Sequence, residues 1–234
     1  MEKRQVALMG DSILKGIQMD PVTERYINKN DMELSSLEAE FDLGISNHSA
    51  FGADCHHGQK LLERLCRKNP ETELVLMDFG GNDCNYDWAA VAQDPEKAHL
   101  PNVPPAEFLD GYRSLIREVQ QRGMQPVLMT LPPLVPERFL PWWSRGLDQG
   151  AVERFVGCPS NIYAHQVNYS RAVERLSLEE GTPLVDLRAA FLACGHLEEL
   201  MCLDGTHPNS QGQALIHKAF QDFGHRLQTH QNIA

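Results

Sequence analysis

Short apolar runs and longer amphipathic stretches alternate along this chain. The apolar runs are Gln5–Met9, Glu73–Phe79, Pro126–Thr130 and Pro183–Asp186, with Phe41–Ser46 a weaker fifth. Runs of this length, bounded by turn residues, are typical of strands buried on both faces of a parallel sheet. Apolar residues at helical spacing lie between them, within 61–65, 108–119, 162–176 and 216–227. The pattern predicts the α/β class, with a central parallel sheet of about five strands covered by helices on both faces.

A proline-rich segment at about 131–160 departs from this alternation. It contains Pro132, Pro133, Pro136, Pro141 and Pro159, and it follows the strand predicted at Pro126–Thr130. Ligands of open α/β sheets bind beyond the carboxyl ends of strands, and long irregular loops are usually functional. We therefore interpret the segment as an irregular active-site loop within one domain spanning 1–234.

Charge and composition exclude several functions. The chain has 32 acidic against 21 basic residues, and its net charge of −11 would repel nucleic acid and anionic membranes, so neither is an expected partner. Six cysteines without a Cys-x-x-Cys pair are interpreted as reduced core residues. The first apolar run is too short for a signal peptide, and no stretch reaches membrane-spanning length. These features predict a cytoplasmic location and leave the oligomeric state open.

Two polar motifs directly follow predicted strands. Ser12 lies in Gly10–Ile13 after the first strand, and we expect it to open a helix, where free N–H groups favour a developing negative charge. Asn82 lies in the Gly-Gly-Asn-Asp sequence Gly80–Asp83. Each motif alone also has a purely structural explanation, as a helix N-cap in the first case and a glycine-rich turn in the second.

A third motif, Asp204-x-x-His207, precedes the last predicted helix. This spacing lets the carboxylate accept a hydrogen bond from the imidazole, which fixes the tautomer and leaves the other ring nitrogen free to act as a base. Alone, the two residues would equally fit a turn before a helix. Together the three motifs supply a nucleophile, an oriented base and polar donors at one edge of the predicted sheet.

In their order along the chain, these motifs resemble those of the SGNH hydrolases, also called GDSL-type esterases and lipases. The resemblance spans nearly the whole chain, and Ile13 stands where the family name has leucine. It implies a flavodoxin-like three-layer α/β/α sandwich and an esterase that forms an acyl-enzyme without a cofactor. It also implies roles for individual residues: Ser12 as nucleophile, His207 as general base and acid, Asp204 as its orienting carboxylate, and Ser12, Gly52 and Asn82 as the oxyanion hole.

Two rival interpretations are weaker. His48, His56 and His57 invite a metal site, but they lack the i, i+4 spacing that brings two histidines to one ion, so no metal is expected. A non-catalytic flavodoxin-like ligand-binding protein would carry a phosphate loop rich in Ser, Thr and Gly after the first strand, and this chain does not.

The motifs leave the substrate open between a short-acyl ester and the lipids or thioesters of a lysophospholipase or thioesterase. The absence of a long apolar stripe favours an acetyl ester of a polar alcohol such as a carbohydrate. Polar and aromatic clusters near the motifs supply the candidate substrate-binding residues Asp83, Tyr86, Trp88, Trp142 and Trp143. Aromatic faces suit sugar rings, although the tryptophans would equally serve to anchor the proline-rich segment on the core.

Overall fold

Five parallel strands form the central sheet, and two further strands form a separate hairpin. The computed structural model describes residues 3–29 and 31–231. In chain order the strands are β1 (Arg4–Gly10), β2 (Ile17–Met19), β3 (Tyr26–Asn28), β4 (Leu43–Asn47), β5 (Leu74–Asp78), β6 (Gln125–Met129) and β7 (Leu184–Val185). The sheet has the spatial order β4-β1-β5-β6-β7, and every pairing in it is parallel. This is the strand order of flavodoxin-like doubly wound proteins.

Helices cover both faces of the sheet. They are α1 (Leu34–Phe41), α2 (Gly58–Lys68), α3 (Trp88–Gln93), α4 (Pro105–Gln121), α5 (Pro136–Trp143), α6 (Gln149–Val156), α7 (Pro159–Glu179), α8 (Leu187–Ala193), α9 (Leu197–Leu200) and α10 (Ser210–Gln231). Side chains of a strand alternate between faces, so Ala7 and Met9 pack with α2, α4 and α7, whereas Val6 and Leu8 pack with α1, α8 and α10. The predicted three-layer sandwich, its five strands and its four amphipathic helices are confirmed.

The chain does not enter a helix after Ser12, contrary to the prediction. A single helical turn forms there, in which the N–H of Lys15 donates to the carbonyl oxygen of Asp11 at 3.1 Å. The turn ends at Gly16, whose φ is +78° and whose Cβ, if present, would lie 2.6 Å from the carbonyl oxygen of Lys29. Only glycine fits such a position, and the chain continues into the antiparallel hairpin of β2 and β3.

The proline-rich segment is mostly helical, so its interpretation as an irregular loop was wrong. It contains α5, α6 and the start of α7. Pro136 and Pro159 stand in the first turns of α5 and α7, where the missing N–H would have no partner in the helix. The Asp148 side chain caps α6 by accepting from the N–H of Ala151 at 3.0 Å. Two of the prolines that suggested a loop therefore begin helices, and a third, Pro141, lies within α5.

Two other sequence-based expectations concern cysteines and membranes. All six cysteines are free; Cys55, Cys84 and Cys202 are buried as expected, whereas Cys158 and Cys194 are exposed. Among the described residues, no helix combines the length and the apolar character that crossing a membrane requires.

Candidate active site

Ser12, Asn82 and His207 lie together at the point where the direction of strand addition in the sheet reverses. From β1 the chain crosses to β4 on one side, and it then returns to β5 on the other side. The crevice beyond the carboxyl ends of two such strands is where doubly wound folds bind ligands. Ser12 follows β1 and Asn82 follows β5, and the loop before α10 brings His207 to the same place.

Ser12, His207 and Asp204 form a continuous hydrogen-bonded series. Nε2 of His207 lies 2.8 Å from Oγ of Ser12, and Nδ1 of His207 lies 2.5 Å from Oδ2 of Asp204. All three side chains are buried. With a proton on Nδ1 shared with Asp204, Nε2 faces the serine as an acceptor.

Asp204 is held as a carboxylate. Burial alone would raise its pKa, but hydrogen bonds from the His207 ring and from the N–H groups of His207 and Thr206 outweigh burial, so the pKa lies below its ordinary value. An ionised Asp204 can therefore stabilise positive charge on the imidazole.

A tight turn at Gly205 gives Asp204 and His207 their geometry. Gly205 has φ of +71°, and its Cβ, if present, would lie 2.5 Å from the carbonyl oxygen of Val135. The N–H of Val135 donates to the carbonyl oxygen of Gly205 at 2.8 Å, which ties the turn to the residue before α5. The turn therefore needs glycine, and it couples the proline-rich segment to the site.

Three groups that can donate hydrogen bonds, from Ser12, Gly52 and Asn82, lie at the cavity. Within the described residues, the backbone N–H groups of Ser12 and Gly52 donate no hydrogen bond, so both are free. Gly52 has φ of +74°, a conformation that favours glycine. Nδ2 of Asn82 donates to the carbonyl oxygen of Ala53 at 2.9 Å and to Oδ2 of Asp11 at 3.2 Å. Asn82 thus reaches the site with both amide hydrogens already engaged, one of them at the longer distance.

Two buried carboxyl groups lie beneath the serine. Burial is the main cause that raises the pKa of Asp11 to about 6, and burial followed by the nearby charges of Asp11 and Asp83 raises the pKa of Asp78 well above its ordinary value. Oδ2 of Asp78 is buried without a hydrogen-bond partner among the described residues. Burial therefore favours the protonated form of both carboxyl groups compared with an exposed aspartate.

Three of the predicted substrate-binding residues do not line the cavity at Ser12. Asp83 is fully buried and accepts from the N–H groups of Cys55 and Gly80, both at 2.9 Å. Trp88 is buried and donates to Asn85, and Tyr86 packs edge-on against it. Their polar atoms bind protein groups, because these residues shape the loop after β5.

The two tryptophans of α5 have different surroundings. The guanidinium of Arg145 lies 3.7 Å from the centre of the Trp142 ring, and Nε1 of Trp142 donates to the hydroxyl of Tyr26 at 3.1 Å. Trp143 lines the cavity together with Ser12 and His207. Neighbouring positions of a helix point about 100° apart, so only one of the pair can face the cavity.

Sequence reasoning missed much of the cavity wall. The cavity has a volume of about 60 Å³, and the lining residues that were not predicted include Phe51, Asn85, Phe139 and Thr206. Tyr26 of β3 was missed as well, and its ring lies 5.0 Å from the ring of His207. Phe51 and Thr206 directly adjoin predicted residues, whereas nothing in the sequence around Tyr26 signals its position.

The histidines considered for a metal site bind separate protein groups. His48 contacts Asn69, His56 pairs with Glu107, and His57 pairs with Asp54. In 3–29 and 31–229, no group of three or more His, Cys, Asp or Glu side chains is arranged to hold a metal ion.

A serine, a histidine and an aspartate joined in series at the carboxyl edge of a doubly wound sheet form the kind of site that serine hydrolases use. The chain belongs to the GDSL-like Lipase/Acylhydrolase family, whose model matches residues 8–215. By its family, the protein is a carboxylic ester hydrolase.

Solved structures of low sequence identity share the fold. A lipase/acylhydrolase from Enterococcus faecalis is 19% identical with a TM-score of 0.66, and the match covers 95% of this chain and 96% of that one. TesA is 18% identical with a TM-score of 0.60, covering 94% and 97%. The acetyl xylan esterase AlAXEase is 17% identical with a TM-score of 0.60, covering 93% and 98%. No curated protein sequence matches the chain.

Proposed function

We propose that the protein hydrolyses acetyl and similarly short acyl esters of a polar alcohol, such as a carbohydrate, through an acyl-enzyme on Ser12. The observation that carries this proposal is the hydrogen-bonded series of Asp204, His207 and Ser12. A serine hydroxyl is a weak nucleophile until a neighbouring base removes its proton, and the series supplies that base.

In the first half of the reaction, Oγ of Ser12 attacks the ester carbonyl while its proton moves to Nε2 of His207. Asp204 stabilises the resulting imidazolium through Nδ1. His207 then gives the proton to the alcohol, which leaves with the electron pair of the broken C–O bond. In the second half, water attacks the acyl-serine with His207 again as base, and the carboxylic acid and free Ser12 are released.

Negative charge develops on the carbonyl oxygen at both attacks. The free N–H groups of Ser12 and Gly52 are the first two proposed donors. Asn82 is the third, and to serve it must exchange its 3.2 Å bond with Asp11 for one with the substrate. Donors of this kind act only when charge has developed, so they lower the barrier rather than bind the ground state.

Small volume and aromatic walls support a short acyl group and a polar alcohol. A cavity of about 60 Å³ has little room for a long chain. Phe51, which is 51% exposed, and Trp143 both line it, and they offer aromatic faces to an incoming ring. AlAXEase, a protein of the same fold, is described as an acetyl xylan esterase. The carbohydrate is proposed from these features together with the acidic charge of the chain, which disfavours anionic lipid surfaces.

The test is hydrolysis of p-nitrophenyl acetate, butyrate and octanoate, and of acetylated oligosaccharides, by the wild type and by Ser12→Ala. We expect kcat/KM to decline with acyl length, and we expect Ser12→Ala to lose about 10³-fold or more while keeping its circular dichroism spectrum. Ser12→Ala within tenfold of wild type would overturn the nucleophile, and a rise toward octanoate would support the lysophospholipase or thioesterase alternative instead.

A further inference from the structure

A second, smaller cavity adjoins the one at Ser12. Its volume is about 20 Å³, and four residues border both spaces: Gly81, Asn85, Phe139 and Thr206. Leu134 and Ile162 line the smaller cavity and not the one at Ser12. The smaller space, called the inner cavity below, therefore adjoins the cavity at Ser12 and has buried aliphatic side chains in its wall.

The walls of the inner cavity are fixed by contacts within the protein. Nε2 of Gln166 donates to the carbonyl oxygen of Pro132 at 2.9 Å, and its Oε1 accepts from Arg188 at 3.0 Å. Nε2 of His165 lies 2.9 Å from the carbonyl oxygen of Cys84. Because these polar groups are paired and Leu134 and Ile162 are buried in the packing around α5 and α7, the cavity has little freedom to widen.

We propose that this inner cavity, bounded by Leu134 and Ile162, is the acyl subsite of the esterase and limits its substrates to acetyl groups. The inference rests on the proposed function and assigns the acyl-binding part of that site. The alcohol has to leave before water attacks, so it occupies the open side, whereas the acyl group stays on Ser12 and can occupy a closed end.

Size then sets the acyl length. A space of about 20 Å³ holds roughly one water-sized group, and the methyl of an acetyl ester is such a group. The two additional methylenes of a butyryl ester would overlap Leu134 or Ile162. The subsite thus discriminates by exclusion, which is effective because close-packed walls yield only at a cost in packing.

The experiment compares kcat/KM for p-nitrophenyl acetate and butyrate in the wild type, Ile162→Ala, the milder Ile162→Val, and Leu134→Ala. Val91→Ala is the matched control, since Val91 is a buried aliphatic residue of the same cluster that borders neither cavity. The butyrate to acetate ratio is taken within each variant, so a difference in the folded fraction cancels.

We expect the ratio to rise about tenfold or more in Ile162→Ala or Leu134→Ala, by less in Ile162→Val, and not at all in Val91→Ala. Unchanged ratios in all three subsite variants would place the acyl group elsewhere and overturn the inference while leaving the esterase intact. A wild type without Ser12-dependent hydrolysis of either ester would overturn the proposed function, and the subsite with it.

Discussion

Tyr26 and His207 are in contact: their ring centres lie 5.0 Å apart with the planes inclined by 54°. Tyr26 belongs to the hairpin of β2 and β3, which follows the helical turn at Ser12. Its hydroxyl accepts from Nε1 of Trp142 at 3.1 Å. An ion pair of 2.7 Å between Glu24 and Arg145 links the same hairpin to the end of α5. The proposed base is thus packed against an element that the proline-rich segment holds in place.

Tyr26→Ala should lower kcat for p-nitrophenyl acetate by about threefold to tenfold with little change in KM. The reason is that the ring packs against His207, the proposed base, and an aromatic contact contributes roughly 0.5–1.5 kcal/mol. Tyr26→Phe keeps the ring and should stay within about threefold of wild type. Steady-state kinetics of both variants measure this, with Tyr163→Ala, a half-buried tyrosine elsewhere, as the control. Equal kcat in wild type and Tyr26→Ala would show that the contact has no role in the reaction.

Asn82→Ala should reduce kcat on the order of 10²-fold and leave KM nearly unchanged, because the proposed role of Asn82 is to donate to charge that exists only in the transition state. The control is Asn161→Ala, since Nδ2 of Asn161 also donates to a backbone carbonyl, that of Val156, outside the site. Loss of the same size in both variants would indicate a general structural effect and would remove Asn82 from the oxyanion hole.

Trp142→Ala and Trp143→Ala should differ, although the residues are adjacent. Trp142 holds Tyr26 and stacks with Arg145, so its loss should lower Tm and reduce turnover of every ester alike. Trp143 lines the cavity, so its loss should mainly raise KM for an acetylated oligosaccharide while p-nitrophenyl acetate is hydrolysed at nearly the wild-type rate. Measuring Tm and both substrates for each variant tests this, and identical behaviour of the two variants would contradict it.

Asp78→Asn should raise stability increasingly as the pH rises from about 4 to 8. The pKa of Asp78 in the folded protein lies well above that in the unfolded chain, mainly because of burial. The folded state therefore keeps a proton that the unfolded state releases, and the free energy of unfolding falls as the pH rises through this interval. Asparagine has no such ionisation. Thermal unfolding of the wild type and of Asp78→Asn across this pH range measures the difference between their Tm values. A difference that stays constant or shrinks as the pH rises would contradict the prediction.

The strands and the Ser12, Asp204 and His207 positions were predictable from sequence because their signals are local. Buried parallel strands such as Leu74–Asp78 are continuous apolar runs, and Asp204-x-x-His207 forms its hydrogen bond within one turn. The hairpin was not predictable: β2 and β3 have three residues each, and the N–H of Met19 contacts the sulfur of Cys202, which is 183 positions away.

The proline-rich segment shows a different limit. Proline disfavours a helix interior but suits a first turn, and composition alone does not distinguish the two positions. The surroundings of Trp142 and Trp143 depend on the helix α5 that was not foreseen, so the sequence could not tell which one faces the cavity. Asp83 looked like a polar contact for substrate, and only its burial reveals that it binds the N–H groups of Cys55 and Gly80.

Ser12 and His207, which lie 2.8 Å apart in space, are separated by 195 positions in the chain. The middle of the sheet needs only its N-terminal part, since β1 pairs with β4 and β5. On the ribosome, that sheet centre can assemble while the histidine is still unsynthesised, and domains do fold from the N-terminus during synthesis. A chain released early would therefore carry Ser12 without His207, the proposed base, beside it. If ester cleavage needs both residues, as proposed, it reports on completed translation. A split of the polypeptide between Leu197 and Asp204 would then turn it into an assay for reassembly of the two fragments.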